Sequence, residues 1–135
     1  MIMRTFDPHL ISEVITGLLK HDEIDIRSWI DNQDNIVLVN DRGDIAVFEK
    51  GVKHVHTGHY YFKSRGKEAI EAGTEFLDEL FNTCYNIPVL MGLVPLTHLG
   101  ARWMSRRLGF KSYGVERIGD KPYEVFIITK REFNE

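Results

Sequence analysis

The stretch Lys63-Ser-Arg-Gly-Lys-Glu-Ala69 runs from a β-rich segment through a glycine into a helical pattern. A helix that begins this way aims unpaired backbone amides and the positive end of its dipole at one point, and Arg65 and Lys67 add charge there. That chemistry suits phosphate or pyrophosphate. An ordinary strand-to-helix connection accounts for the same residues, because neither a G-x-G-x-x-G nor a P-loop pattern is present. The segment His54-Val-His56-Thr-Gly-His59 is the second candidate: on a strand, His54 and His56 share one face and His59 takes the other. Two imidazoles on one face offer a metal pair or a base, yet no third ligand is identifiable, and half-buried polar histidines are the expected reading over a metal site. Arg102 and Arg106 stand four apart in a basic run with Arg107 and Lys111. They could grip a phosphate, but a solvated basic helix end that complements the dipole is the expected reading. Cys84, the one cysteine, falls on the apolar side of a helical pattern without a basic partner and reads as inert core.

Positioning these groups falls to an alternating order of helices and strands. Asp7 can cap and Pro8 can open a helix carrying Leu10, Ile11, Val14, Ile15, Leu18 and Leu19 and ending near Lys20, and a second helix is expected over 23–31. Ile36-Val-Leu-Val39 and Ile45-Ala-Val-Phe48, joined by Asp41-Arg-Gly-Asp44, spell a hairpin, and residues 52–63 a longer strand. Gly58 inside that strand predicts a bulge or a close approach by another backbone or a ligand. Ala69, Gly73, Phe76, Leu77 and Leu80 line one side of a helix that starts after Gly66. Strands over 87–94, 110–118 and 123–130 and a helix over 97–108 complete the order. The passage from residue 52 to 94 requires two parallel neighbours joined by a helical crossover, within a mixed sheet.

Composition bounds the rest. The chain has 135 residues, 43% hydrophobic and 27% charged, and shows no linker or repeat, so one domain with its own core is expected. Seventeen Lys and Arg against 20 Asp and Glu, a net charge of −3, disfavour general nucleic-acid binding. A single cysteine and the absence of a signal-like start suit the cytoplasm. The longest apolar run, 87–96, contains two prolines and falls short of the roughly 20 residues of a membrane helix. No membrane association is expected.

The order of elements, together with Arg65-Gly-Lys-Glu-Ala69, Pro88-Val-Leu-Met-Gly-Leu-Val-Pro95 and Ala101 through Leu108-Gly-Phe110, resembles the GNAT superfamily of acetyl-CoA-dependent N-acetyltransferases. The resemblance implies a single α/β domain of order α-α-β-β-β-α-β-α-β-β, with room for a short extra N-terminal strand, and a mixed central sheet flanked by helices. It implies acetyl-CoA as cofactor and an amine as acceptor. Amides of Ser64, Arg65, Gly66, Lys67, Glu68 and Ala69 would receive the pyrophosphate, and those near Tyr60, Tyr61 and Phe62 would orient the thioester. His56 or His59 would be the base and Ser105 the acid, with His98 and Ala101 at cofactor positions on the last helix. Four residues depart from the family pattern. Glu68 and Ile70 stand where small residues are expected, and Ser105 stands where a tyrosine often acts. His98 replaces a common asparagine. The strand histidine with Arg65-Gly-x-x-Ala69 is most similar to GNAT-like proteins of tailed bacteriophages, some associated with head assembly or the virion. That branch implies another phage structural protein as partner, a place in the host cytoplasm or virion, and a groove that no longer catalyses.

Overall fold

Ile36-Val-Leu-Val39 and the first four residues of Ile45–Lys50 are buried at every position, on both faces. Strands of this kind belong in the middle of a sheet with helices on each side. The computed structural model describes residues 2–16, 26–83 and 85–135, and places these two strands, β2 and β3, beside a two-residue strand β1 (Met3–Arg4) in a seven-stranded sheet. The other elements are α1 (Pro8–Thr16), α2 (Ile26–Asp31), β4 (Val55–Tyr61), α3 (Lys67–Asn82), β5 (Val89–Pro95), α4 (Leu99–Arg107), β6 (Lys111–Ile118), β7 (Lys121–Thr129) and α5 (Lys130–Asn134). Spatial order is β1-β2-β3-β4-β5-β7-β6, with β4 and β5 parallel and every other pair antiparallel. This is the α/β architecture expected, with the short N-terminal strand present. Leu18, Leu19, Lys20, the start of the second helix at Glu23, and Cys84 lie outside the described residues.

Each face of the sheet carries its own apolar cluster. On one, α3 brings Phe76, Leu77, Leu80 and Phe81 onto Phe48, Leu90 and Phe126; on the other, Ile11 and Trp29 cover Val37, Val39, Ile45 and Val47. Burial of a large apolar side chain contributes on the order of 1.5–3 kcal/mol, so the spacing that put Phe76, Leu77 and Leu80 on one side of α3 also fixes which face it docks. Among the described residues no helix is long and apolar enough to cross a membrane.

Three expectations change. The third strand begins at Val55 rather than residue 52, because Val52, Lys53 and His54 form a turn: Val55 N donates to Val52 O, and Lys53 has φ 57°. Gly58 makes no bulge. The β3–β4 register is unbroken through Phe48↔Gly58, and the missing side chain instead makes room for Leu90, whose Cδ1 lies 3.3 Å from where a Cβ would stand. The ladder irregularity falls between Ser112 and Val115 on β6. Finally, the last strand stops at Thr129 and a short helix follows, fixed by a capping box in which Thr129 Oγ1 accepts from Glu132 N and the Glu132 carboxylate accepts from Thr129 N. Thr129→Ala is expected to lower the unfolding free energy by about 1 kcal/mol in urea melts.

Candidate functional site

The parallel pair β4–β5 is joined at only three positions, Val55↔Val89, His56↔Leu90 and Thr57↔Met91. Beyond them β4 stays with β3 from Gly58 to Tyr61, while β5 stays with β7 from Gly92 to Pro95. A wedge therefore opens at the carboxyl ends of the two parallel strands, the end of an α/β sheet where ligands characteristically bind. Five residues past β4 begins α3, on the same side of the molecule's split edge. Gly66 precedes it with φ 57° and ψ −127°, a backbone conformation reserved for glycine, and no side chain caps the helix. A Cβ on Gly66 would meet nothing within 4 Å. The first turn of α3 is thus without a side-chain cap, and the Cβ direction of Gly66 is open.

Asp44 holds this loop in place. Its carboxylate, fully buried, accepts from Lys63 N at 2.7 Å, Ser64 N at 2.8 Å, Ser64 Oγ at 2.7 Å and Asn40 Nδ2 at 3.0 Å. Burial pushes the carboxyl towards its neutral form, but these donors together outweigh burial and hold it below the usual carboxylate range. The Ser64 amide is thus committed to Asp44, and the amides left for an anion begin at Arg65. Tyr60 and Phe62 stack at 5.6 Å and Phe48 meets Tyr60 edge-on. Burial pushes the Tyr60 hydroxyl far above its ordinary value, and it has no partner among the described residues.

The three histidines part company. His54 sits exposed in the turn before β4, so it forms no strand pair with His56. His56 is buried at the closed end of the wedge, with Nε2 3.2 Å from the Asp34 carbonyl and Nδ1 unpartnered among the described residues. Burial, joined by Lys50 and opposed by the Asp34 carbonyl, lowers its pKa, so it is neutral near pH 7. His59 stands beyond the last β4–β5 rung on the opposite face. Its Nε2 is 2.8 Å from Glu49 Oε1, and its ring stacks on Trp29 at 6.2 Å. Tyr61 lies beside Trp29 on this face, its hydroxyl pushed up to about 12 by burial and then by Glu49. Among the described residues no group of three or more His, Cys, Asp or Glu could hold a metal ion.

On α4, His98 acts as the N-cap, its Nδ1 accepting from Ala101 N at 3.2 Å. That is the bond an asparagine side chain would make there. Ser105 Oγ donates to Ala101 O at 2.9 Å, so its proton is directed into its own helix. Ala101 packs on the core beside Met104. Arg102 and Arg106 are not a solvated face. Arg102 Nε reaches Glu124 Oε1 at 2.8 Å, Arg106 Nη2 reaches Oε2 at 2.6 Å, and Ser112 Oγ donates to the same Oε2 at 2.6 Å. The Ser112 bond, with both guanidiniums, holds the Glu124 carboxyl below the usual range against its burial. Asp44, Glu49, Trp29 and Glu124 are the residues sequence reasoning did not assign to the site. Only Asp44 had a signal, a second aspartate closing a turn that already had Asp41.

No protein-family model and no curated protein matches the chain. Solved structures do match in fold. A chimera of spermidine N-acetyltransferase SpeG from Vibrio cholerae and hSSAT superposes with TM-score 0.76 over 100% of this chain and 99% of its own, at 12% identity. An acetyltransferase of the GNAT family from Bacillus anthracis gives 0.68 over 96% and 94%, at 17% identity. AAC(6')-Ib, solved with paromomycin and acetyl-CoA, gives 0.70 over 100% and 96%, at 14% identity.

Proposed function

With the GNAT fold as premise, we propose that this protein is an N-acyltransferase moving an acetyl group from acetyl-CoA to an amine. The observation that carries the reading is the three-rung junction of β4 and β5, with the uncapped start of α3 beside its open end. Amides of Arg65, Gly66, Lys67, Glu68 and Ala69 at the uncapped start of α3 would hold the pyrophosphate, with Arg65 and Lys67 adding charge, and the open side of Gly66 leaves its approach unobstructed. The pantetheine arm would lie in the wedge, and amides near Tyr60, Tyr61 and Phe62 would orient the thioester. Bound there, acetyl-CoA supplies an activated acyl group with a thiolate leaving group.

The chain's own residues then do two things. His59, half-exposed on the face opposite α3, takes a proton from the acceptor nitrogen so that its lone pair can attack the acyl carbon; buried His56 has no such access. Backbone amides of β4 left without a strand partner stabilise the oxyanion that forms. As the C–S bond breaks, the Ser105 hydroxyl, whose proton is held by Ala101 O, is not the donor; the proton that His59 has taken from the acceptor nitrogen returns to the thiolate through solvent. His98 and Ala101 shape the α4 side of the cofactor channel.

Calorimetric titration with acetyl-CoA tests this. Native protein is expected to bind at micromolar concentration, on the order of −8 kcal/mol, with a Glu68→Gly variant binding more tightly because a carboxylate no longer faces the pyrophosphate. A native protein that gives no heat while Glu68→Gly binds would favour the second reading, an assembly protein of the phage type whose groove is vestigial. The exposed Glu68 in the first turn of α3 motivates that reading: there it complements the helix dipole that a cofactor would otherwise use.

A further inference from the structure

On the helix-α2 face of the sheet, three side chains from three elements meet at one oxygen. Glu49 Oε1, on β3, accepts from Trp29 Nε1 of α2 at 3.1 Å and lies 2.8 Å from His59 Nε2 of β4. Trp29 is buried and its ring also stacks on His59, nearly parallel at 22°. The indole N–H can only donate, so Trp29 fixes where Oε1 points. A carboxylate oxygen can only accept, so the nitrogen facing it must carry a proton, and neutral His59 is held with hydrogen on Nε2 and its lone pair on Nδ1.

We infer that Glu49, oriented by Trp29, is the positioning residue that makes Nδ1 of His59 the nitrogen offered to the acceptor amine. The inference rests on the reading of His59 as base. It assigns the arrangement of a proton-accepting histidine oriented by a third group, with the stack on Trp29 restricting rotation of the ring. Glu49 is itself about 40% exposed, so the pair stands at the solvent border, where a substrate nitrogen can approach, and not in the core. When His59 gains a proton at Nδ1, the resulting imidazolium is stabilised by the charge of Glu49 already in contact with Nε2.

The test reads the ring directly. Protein labelled with 15N-histidine is examined at pH 8.5 by long-range proton–nitrogen NMR, with His59 identified by the signals lost in His59→Gln. His59 is expected in the Nε2–H form in native protein and in Glu49→Gln, whose amide oxygen still accepts, and in a tautomer mixture in Glu49→Ala. An Nδ1–H form in native protein, or a Glu49→Ala spectrum indistinguishable from native, overturns the proposal. In turnover with acetyl-CoA and an amine panel, Glu49→Ala is expected to lower kcat roughly 10²-fold, and Trp29→Phe roughly 3-fold, with acetyl-CoA affinity unchanged. An unchanged kcat in Glu49→Ala also overturns it. Should native protein fail to bind acetyl-CoA, the acyltransferase reading falls by calorimetry, while the tautomer measurement still decides the role of Glu49.

Discussion

Asp44→Ala is expected to lose about 3 kcal/mol of unfolding free energy and all measurable acetyl-CoA binding. Two backbone amides, one hydroxyl and one side-chain amide converge on this carboxylate inside the protein, and its removal leaves Lys63 N and Ser64 N without their acceptor. A buried donor left unsatisfied costs about 1–3 kcal/mol, which exceeds what a surface turn residue could contribute. Asp44→Asn retains one acceptor oxygen and should fall between the two. The sign of the pH effect follows from the lowered pKa: the contribution is complete above the unfolded carboxyl range near 3.9 and disappears as pH falls through the folded value below it. Urea midpoints of native protein and Asp44→Asn should differ by a constant amount from pH 5 to pH 7 and converge towards pH 3. A gap that stays constant down to pH 3 would show that the carboxylate's charge is not what secures the loop.

Binding falls along with stability because the same bonds set the start of α3. Gly66 can adopt its φ and ψ without strain, but glycine alone specifies no single conformation. Asp44 does so by fastening Lys63 and Ser64, and Asn40 ties Asp44 in turn through its backbone amide, so the β2–β3 turn acts as the floor of the loop. Melting can be separated from the binding effect by titrating Asp44→Asn well below its transition temperature.

Periodicity revealed much of this molecule. Apolar spacing along Ala69–Leu80 and the two apolar runs at 36–39 and 45–48 are direct consequences of burial on one side or on both, and they determined the sheet and its main helix. Even the parallel β4–β5 pair was legible, since a strand, a helix and a strand in succession leave few other arrangements. The wedge was not legible from periodicity: a rung that fails to form at Gly58 leaves no mark on the alternation of side chains. His54 misled because period two assumes a strand, and the turn at Lys53 breaks it. Glu49 and Trp29 carried no signal at all, being 20 residues apart on a helix and a strand whose packing angle no local pattern encodes.

Arg102 and Arg106 show the same limit with a larger energetic consequence. Read along α4 they form a basic stripe like any solvated helix end, and replacing either would then change stability by no more than about 0.5 kcal/mol. Their partner lies some twenty residues away on β7, at a position where alternation alone predicts an apolar side chain: Glu124, between Phe126 and Pro122 on the face that receives α4. With Glu124 5% exposed and both its oxygens engaged, Glu124→Ala leaves Arg102 Nε, Arg106 Nη2 and the Ser112 hydroxyl without their acceptor, and about 2–3 kcal/mol of stability is expected to be lost. A double-mutant cycle between Glu124→Ala and Arg102→Ala should return a coupling of at least about 1 kcal/mol, and the Arg106→Ala cycle a smaller one because Arg106 is the more exposed. Arg102 also donates to Leu96 O at the turn into α4, so losing its carboxylate frees the helix at the end that carries His98 and Ala101. Acetyl-CoA affinity should therefore weaken in Glu124→Ala even under conditions where the protein remains folded, and a variant that binds normally would separate α4 anchoring from the cofactor channel.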